Sequence, residues 1–128
     1  MNMKLNSTNI GVIGLGYVGL PLAIEFSYKF PVIGFDINAN RILDLNSGVD
    51  STNEVEIQNL KKANNIIFTS DPDSLKSCNF YIVTVPTPIN KNKRPDLEPL
   101  IDASNLIAKV LKKGDVVVYE STVYPGAT

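Results

Sequence analysis

The stretch Ile-Gly-Val-Ile-Gly-Leu-Gly-Tyr-Val-Gly at residues 10–19 decides the fold. Its first four residues are a short apolar run and predict a buried strand, and apolar residues recurring every four positions predict a helix over about 17–30. Between them stands the pattern G-x-G-x-x-G, which in this setting is typical of a diphosphate-binding turn. Gly14 permits the tight turn, Gly16 lets a diphosphate approach the backbone, and Gly19 lets the helix lie close to the sheet.

The rest of the chain continues to alternate between strand and helix patterns. Further strands are predicted at 32–35, 66–69, 80–85 and 116–119. A helix is predicted after an N-cap at Asn38 and is expected to end at Gly48, and a short helix is predicted at 54–62. A turn or short helix is expected from Asp71, and a long helix with Asp96 as its N-cap is predicted at 97–113. The last long helix is expected to bury a face made of Leu97, Leu100, Ile101, Ile107, Ala108 and Leu111. This alternation predicts an α/β protein with a Rossmann-type, doubly wound parallel sheet and helices on both faces.

Asp36 follows the second predicted strand, 22 residues after Gly14. A carboxylate at this place can accept hydrogen bonds from both adenosine ribose hydroxyls, and it repels a 2′-phosphate. The sequence therefore predicts NAD rather than NADP. Arg41 leaves an alternative open, because an arginine can hold a 2′-phosphate, cover the adenine, pair with Asp36 or simply lie on a helix surface.

Two other strand ends carry unusual residues. Thr84, Val85, Pro86 and Thr87 close the fourth strand in a segment that the two prolines around Thr87 stiffen, and Glu120, Ser121 and Thr122 follow the fifth. Ligands of open α/β sheets lie beyond the carboxyl ends of the strands, so these residues are candidates to line the nicotinamide half of the cofactor. The alternative for each segment is an ordinary polar loop.

The composition excludes several classes of site. The 128 residues suit one domain, which we place at 10–128 after a polar tail at 1–9. The chain has no histidine and one cysteine, so a Ser-His-Asp site, a structural zinc site and an internal disulfide are excluded, and no metal is expected. Cys78 precedes the fourth strand, where a structural role is favoured over catalysis. A net charge of −1 gives no case for nucleic-acid binding.

Targeting signals are equally sparse. The apolar stretches are far shorter than the roughly 18 residues of a membrane span, and the polar start does not resemble a signal peptide, so we expect a cytoplasmic protein with no membrane partner. A basic loop with Lys91, Lys93 and Arg94 could meet an anionic substrate, but a solvated loop is favoured.

Five segments together resemble a known family. They are GLGYVGLPLA at 14–23, GFDIN at 34–38, YIVTVPTPI at 81–89, PDLEPL at 95–100 and VVYESTVYPGAT at 117–128. The chain resembles the N-terminal NAD-binding domain of the UDP-glucose/GDP-mannose dehydrogenase family over essentially its whole length. Within the family it is most similar to the branch that acts on UDP-N-acetylhexosamines for bacterial surface polysaccharides such as capsules.

The resemblance implies an NAD-dependent, two-step oxidation of a UDP-sugar C6 alcohol to a carboxylate, with a thioester on a cysteine between the steps. It implies NAD contacts at Gly14, Gly16, Tyr17, Val18, Gly19, Asp36, Arg41, Thr87 and Thr122, and it gives Thr122 a part in positioning the hydrolytic water. The family's catalytic cysteine and lysine lie in later regions that this chain lacks, and Cys78 matches neither. We therefore expect a fragment of a longer, homodimeric or larger enzyme that binds cofactor without turning over substrate.

Two alternatives stay open at this point. The chain could be a stand-alone NAD-binding or redox-sensing module, which a natural stop after residue 128 would favour. It could also belong to another Rossmann enzyme, such as a 6-phosphogluconate-like dehydrogenase or a methyltransferase. The VPTP and STVYPG segments argue against this last alternative.

Overall fold

Five parallel strands form one sheet in the order β3-β2-β1-β4-β5. A computed structural model describes residues 8–16, 18–48, 65–85 and 97–120. The strands are β1 Ile10–Ile13, β2 Val32–Phe35, β3 Ile66–Thr69, β4 Phe80–Val83 and β5 Val116–Tyr119. The order reverses at β1, whose two neighbours are β2 and β4, so a crevice is expected at the carboxyl ends of β1 and β4. The predicted doubly wound α/β class is confirmed.

The described residues between the strands contain four helical segments: α1 at Gly19–Ser27, α2 at Ala39–Asn46, a 3₁₀ helix at Pro72–Ser77 and α3 at Glu98–Val110. The predicted cap of α2 is confirmed, because the Asn38 side chain accepts hydrogen bonds from the N–H groups of Asn40 and Arg41. Gly48 follows the helix with a φ of +83°, a left-handed conformation that favours glycine and ends helices. The helix predicted at 54–62 lies outside the described residues.

Alternate residues of the strands face two separate apolar cores. The core under α1 and α2 contains Ile10, Val12, Leu15, Leu20, Ala23, Ile24, Val32, Ile42, Leu45 and Ile82. The core under the 3₁₀ helix and α3 contains Ile13, Phe35, Leu75, Cys78, Tyr81, Val83, Ala103, Ile107 and Val110. Because the central strands β1, β2 and β4 are covered on both faces, they consist almost wholly of apolar residues. The edge strands are apolar as well, but Ile67 of β3 and both Val116 and Tyr119 of β5 are exposed.

Several predicted boundaries were wrong. Helix α1 is shorter than the predicted 17–30 and ends in a turn, in which the N–H groups of Lys29 and Phe30 both bond to the Phe26 carbonyl. Strand β4 ends at Val83 rather than at residue 85. Helix α3 begins after Leu97, whose side chain makes no cap hydrogen bond. The predicted Asp96 cap lies outside the described residues.

The predicted buried face and C-terminus of α3 were also partly wrong. The helix turns Ala103, Ile107 and Val110 to the sheet, and it leaves Leu97, Ile101, Ala108 and Leu111 exposed. Its end comes at Val110 because the carboxylate of Asp115 accepts the N–H of Lys112, at 2.8 Å, and holds residues 112–115 as a turn into β5. The spacing of apolar residues in the sequence does not predict this hydrogen bond between Asp115 and Lys112.

Candidate functional site

The glycine loop between β1 and α1 has the conformation that its sequence predicts. Gly14 has a φ of +99°, which L side chains rarely adopt. A Cβ on Gly19 would overlap the carbonyl oxygen of Gly14 and the hydroxyl of Thr84, so only glycine lets α1 approach β1 this closely. A Cβ on Gly16 would meet no atom of the described residues within 4 Å, so space for a ligand lies directly in front of the Gly16 backbone.

Among the described residues, the N-terminus of α1 lacks the groups that usually neutralise a helix start. Within the described part of the chain, its N-cap Val18 makes no side-chain cap hydrogen bond, and its first turn contains no acidic residue. A helix start carries backbone N–H groups without intrahelical partners and a partial positive charge. The loop therefore presents an uncompensated anion-binding end beside the open space at Gly16.

The carboxylate of Asp36 lies directly after β2 and is held by two backbone N–H groups. One oxygen, Oδ2, accepts the N–H of Leu15 at 2.9 Å, and the other, Oδ1, accepts the N–H of Asn38 at 2.9 Å. A carboxylate has about four acceptor positions, so each oxygen keeps one lone pair for a further donor. Asp36 is thus fixed in orientation and can still accept hydrogen bonds from two ribose hydroxyls.

Thr84 follows β4 and faces the glycine loop from the other side. Its hydroxyl lies 2.6 Å from the carbonyl oxygen of Gly14 and 3.2 Å from that of Ile13, and the residue is buried. The hydroxyl proton therefore serves the protein backbone rather than the solvent side of the crevice.

Arg41 lies behind the loop and is buried, with 8 % of its surface exposed. Its Nε donates to the carbonyl oxygen of Leu15 at 2.8 Å. Of the uses that the sequence left open for Arg41, an exposed surface residue is therefore excluded. At least one guanidinium nitrogen supports the glycine loop from below.

One cavity of about 620 Å³ brings most of the described candidates together. It lies at the carboxyl ends of β1, β2 and β4, and its walls include the predicted residues Gly14, Gly16, Val18, Asp36, Thr84 and Val85. Gly19 and Arg41 support the loop from behind and are not among the described residues that line this cavity. Tyr17, Pro86, Thr87, Ser121 and Thr122 lie outside the described residues.

Sequence reasoning missed the wall that α3 contributes. Pro99, Asp102, Ala103 and Leu106 line the same cavity as Ile37, a residue that is 80 % exposed. Their spacing of three, four and seven residues places them on one helix face, which is a signal that the sequence does contain. It was missed because the predicted buried face of this helix was assigned to Leu97, Leu100, Ile101, Ile107, Ala108 and Leu111 instead.

Cys78 lies at the opposite end of the sheet, before the first residue of β4, and is fully buried. Burial raises the pKa of its thiol from 9.0 to about 11 and, chiefly for the same reason, the pKa of Tyr81 to about 12. The Tyr81 hydroxyl lies 2.8 Å from the carbonyl oxygen of Leu75 and 3.0 Å from that of Cys78, so its one proton is bonded to the protein backbone. A thiol in this state is a poor nucleophile, which supports a structural role.

The described residues contain neither a metal site nor a membrane-spanning helix. No group of three or more acidic or cysteine side chains there is arranged to hold a metal ion. None of the described helices has the length and apolar character needed to cross a bilayer.

Comparisons with known proteins agree with this geometry. Residues 8–128 match the profile of the "UDP-glucose/GDP-mannose dehydrogenase family, NAD binding domain". The chain is 58 % identical over 124 residues to UDP-N-acetyl-D-glucosamine 6-dehydrogenase of Pseudomonas aeruginosa, covering 97 % of this chain and 29 % of that protein. It is 55 % identical over 120 residues to Protein CapL of Staphylococcus aureus, covering 94 % and 28 %.

A solved structure gives the same result in three dimensions. The UDP-D-ManNAc dehydrogenase of Pyrococcus horikoshii superposes with a TM-score of 0.85 and 39 % identity, over 94 % of this chain and 30 % of that one. The chain thus spans less than a third of the length of the relatives that it matches. The match along nearly the whole chain, together with the glycine loop and Asp36, shows that the chain belongs to the UDP-glucose/GDP-mannose dehydrogenase family as its NAD-binding domain.

Proposed function

We propose that NAD lies across the carboxyl ends of β1 and β2, with its diphosphate at Gly16 and the N-terminus of α1. In this arrangement the adenosine ribose hydroxyls donate to the free lone pairs of Asp36. The adenine, one bond away from that ribose, packs between Ile37 and the α3 wall. Tyr17, Val85, Pro86, Thr87, Ser121 and Thr122 remain candidates for further contacts, the last four with the nicotinamide half.

The observation that carries this proposal is the open space in front of Gly16 beside a helix start without a side-chain cap. A diphosphate satisfies the free N–H groups and the positive end of the helix dipole at once. Asp36 lies on the neighbouring strand and is bonded to the same loop, so the diphosphate and ribose sites have a fixed relative position.

Titration calorimetry with NAD and NADP tests the placement of the ribose. At an effective dielectric constant of about 20, two charges 4 Å apart interact by about 4 kcal/mol, and screening reduces this at a half-exposed site. We expect the chain to prefer NAD by roughly 100-fold, a repulsion of about 2.7 kcal/mol. Equal affinities, or a preference for NADP, would contradict the proposal.

The matched variants are Asp36→Asn and Asp44→Asn. Both remove one negative charge, but Asp44 is an exposed residue of α2. The ratio of the two affinities is the readout, because any disturbance of the glycine loop weakens NAD and NADP alike. We expect the ratio to fall at least tenfold in Asp36→Asn and to stay within twofold in Asp44→Asn.

We further propose that in the whole protein this domain serves the oxidation of a UDP-N-acetylhexosamine C6 alcohol to a uronic acid. NAD accepts the hydride, and two molecules of NAD are needed to oxidise the alcohol through the aldehyde level to the carboxylate, with the addition of one water. The residues of this domain hold and orient the cofactor. Thr122 is the candidate to position the water, and the nucleophilic cysteine is expected outside this chain, because Cys78 is buried at the far end of the sheet.

Absorbance of NADH at steady state tests this second proposal. The whole protein, supplied with NAD and a panel of UDP-sugars, should form two NADH for each UDP-N-acetylhexosamine consumed. The uronic acid product would serve as a precursor of surface polysaccharides. The 128-residue chain alone should bind NAD and form no NADH. Turnover by the short chain, or one NADH per sugar, would contradict the proposal.

A further inference from the structure

The peptide unit between Gly14 and Leu15 is held at both of its polar groups by side chains from the two strands that flank β1. Its carbonyl oxygen, on Gly14, lies 2.6 Å from the hydroxyl of Thr84, at the end of β4. Its N–H, on Leu15, donates to Oδ2 of Asp36, at the end of β2, at 2.9 Å. This single peptide therefore bridges the carboxyl ends of β4 and β2 directly over the end of β1.

The proton of the Thr84 hydroxyl is committed to this bridge. The other nearby acceptor, the Ile13 carbonyl at 3.2 Å, already receives the N–H of Thr84 at 2.9 Å. A hydroxyl has one proton to donate, and the Gly14 oxygen is the nearer acceptor. Thr84 is buried, with 6 % of its surface exposed, so water has little access to this bond.

The orientation of this peptide controls the part of the loop that meets the ligand. The next peptide joins Leu15 to Gly16: its carbonyl, on Leu15, accepts a hydrogen bond from Nε of Arg41 at 2.8 Å, and Gly16 lines the cavity. With the Gly14–Leu15 peptide fixed on both sides and the Leu15 carbonyl fixed from below, the Gly16 backbone has little freedom before a ligand arrives. Such preorganisation lowers the entropy lost on binding.

We propose that Thr84 is a positioning residue for the diphosphate of the cofactor and acts through the Gly14 carbonyl rather than by touching the nicotinamide half. The inference depends on the proposed binding of NAD in this crevice. It gives the bond between Thr84 and Gly14 a function in ligand binding beyond its contribution to the fold. Asp36 then has two functions, as the ribose acceptor and as the second anchor of the same peptide.

The decisive variants are Thr84→Val and Thr84→Ser. Valine has the shape of threonine but no hydroxyl, and its methyl group cannot stay 2.6 Å from an oxygen, so the Gly14 carbonyl must move. Serine keeps the hydroxyl and loses only the methyl group. The ligands for calorimetry are NAD, ADP and adenosine. NAD is the complete cofactor, ADP keeps the diphosphate but lacks the nicotinamide, and adenosine lacks both the diphosphate and the nicotinamide.

We expect Thr84→Val to weaken the binding of NAD and of ADP by the same factor of about five to ten, and to change the affinity for adenosine by less than twofold. Thr84→Ser should bind NAD and ADP with affinities within about twofold of those of wild type. A loss for NAD without a loss for ADP would show direct contact with the nicotinamide half and would overturn the inference. Equal losses for all three ligands would show general disruption of the fold, and no loss for any would show that the bond is idle; either result also overturns it. If wild-type chain failed to bind NAD, the proposed function itself would fail, before any variant is compared.

Discussion

Alanine substitutions at Gly16 and Gly19 separate the glycine that serves the ligand from the glycine that serves the fold. The two positions are three residues apart in one loop, and the chemical change is the same added methyl group. At Gly19 the new Cβ would overlap a backbone carbonyl oxygen, that of Gly14, which cannot rotate away as a flexible side chain can. At Gly16 it would meet no described atom within 4 Å.

The expected magnitudes follow from these contacts. Overpacking of a tight contact costs about 1–3 kcal/mol, and the unyielding carbonyl places Gly19→Ala at or above the upper end. The better helix propensity of alanine offsets at most about 1 kcal/mol of this. The net loss of about 2 kcal/mol or more corresponds to a Tm lower by roughly 10 °C for a domain of this size. Gly16→Ala should keep its Tm within about 2 °C, because the added methyl group displaces no atom of the described residues.

Circular dichroism on heating, without ligand, measures the first effect, and calorimetry with NAD measures the second. Gly16→Ala should bind NAD more than tenfold more weakly, since its methyl group would occupy the space assigned to the diphosphate. A Gly16→Ala protein that binds NAD like wild type would refute the placement of the diphosphate. A Gly19→Ala protein with the Tm of wild type would refute the close approach of α1 to β1.

Two further predictions concern the opposite end of the sheet. Burial raises the pKa of the Cys78 thiol from 9.0 to about 11, so on raising the pH the unfolded chain releases this proton before the folded chain does. The contribution of the thiol to stability is therefore complete below pH 9 and is lost between pH 9 and 11. Urea titrations over that window should show a shallower loss of stability in Cys78→Ala than in wild type, and an identical slope would contradict the assignment. Lys112 donates through Nζ to the carbonyl oxygens of Lys76 and Cys78 at 2.9 and 2.8 Å, so Lys112→Met should lower the free energy of unfolding in urea by about 1–2 kcal/mol. The control Lys113→Met, at an exposed neighbour, should change it little, and both variants should keep the NAD affinity of wild type. A loss as large in Lys113→Met would show a general effect of charge instead.

Much of the site was predictable because its glycines and its acid act through the backbone. Gly14 and Gly19 are required by a positive φ and by a close contact, and such requirements leave few alternatives in a sequence. The position of Asp36 after β2 follows in the same way from strand length and from the spacing to the glycine loop. The residue contacts proposed for NAD itself remain predictions.

The errors have a common physical cause. The end of α3 depends on Asp115 capturing a backbone N–H, and its buried face depends on how the helix meets the sheet, which favours Ala103 over the larger Ile101. The first is a side-chain hydrogen bond just beyond the helix and the second is packing of the helix on the sheet, and helical periodicity carries no information about either.

The sequence by itself determined the α/β alternation, the diphosphate-binding turn and the acid at the end of β2, because strand burial, glycine conformation and motif spacing are local properties. Only the tertiary structure decided that Thr84 bonds to Gly14, that Arg41 lies buried beneath Leu15, and that α3 forms a wall of the cavity. The two hydrogen bonds join residues 70 and 26 positions apart, and the parallel sheet brings them together by placing the carboxyl ends of β1, β2 and β4 at one edge.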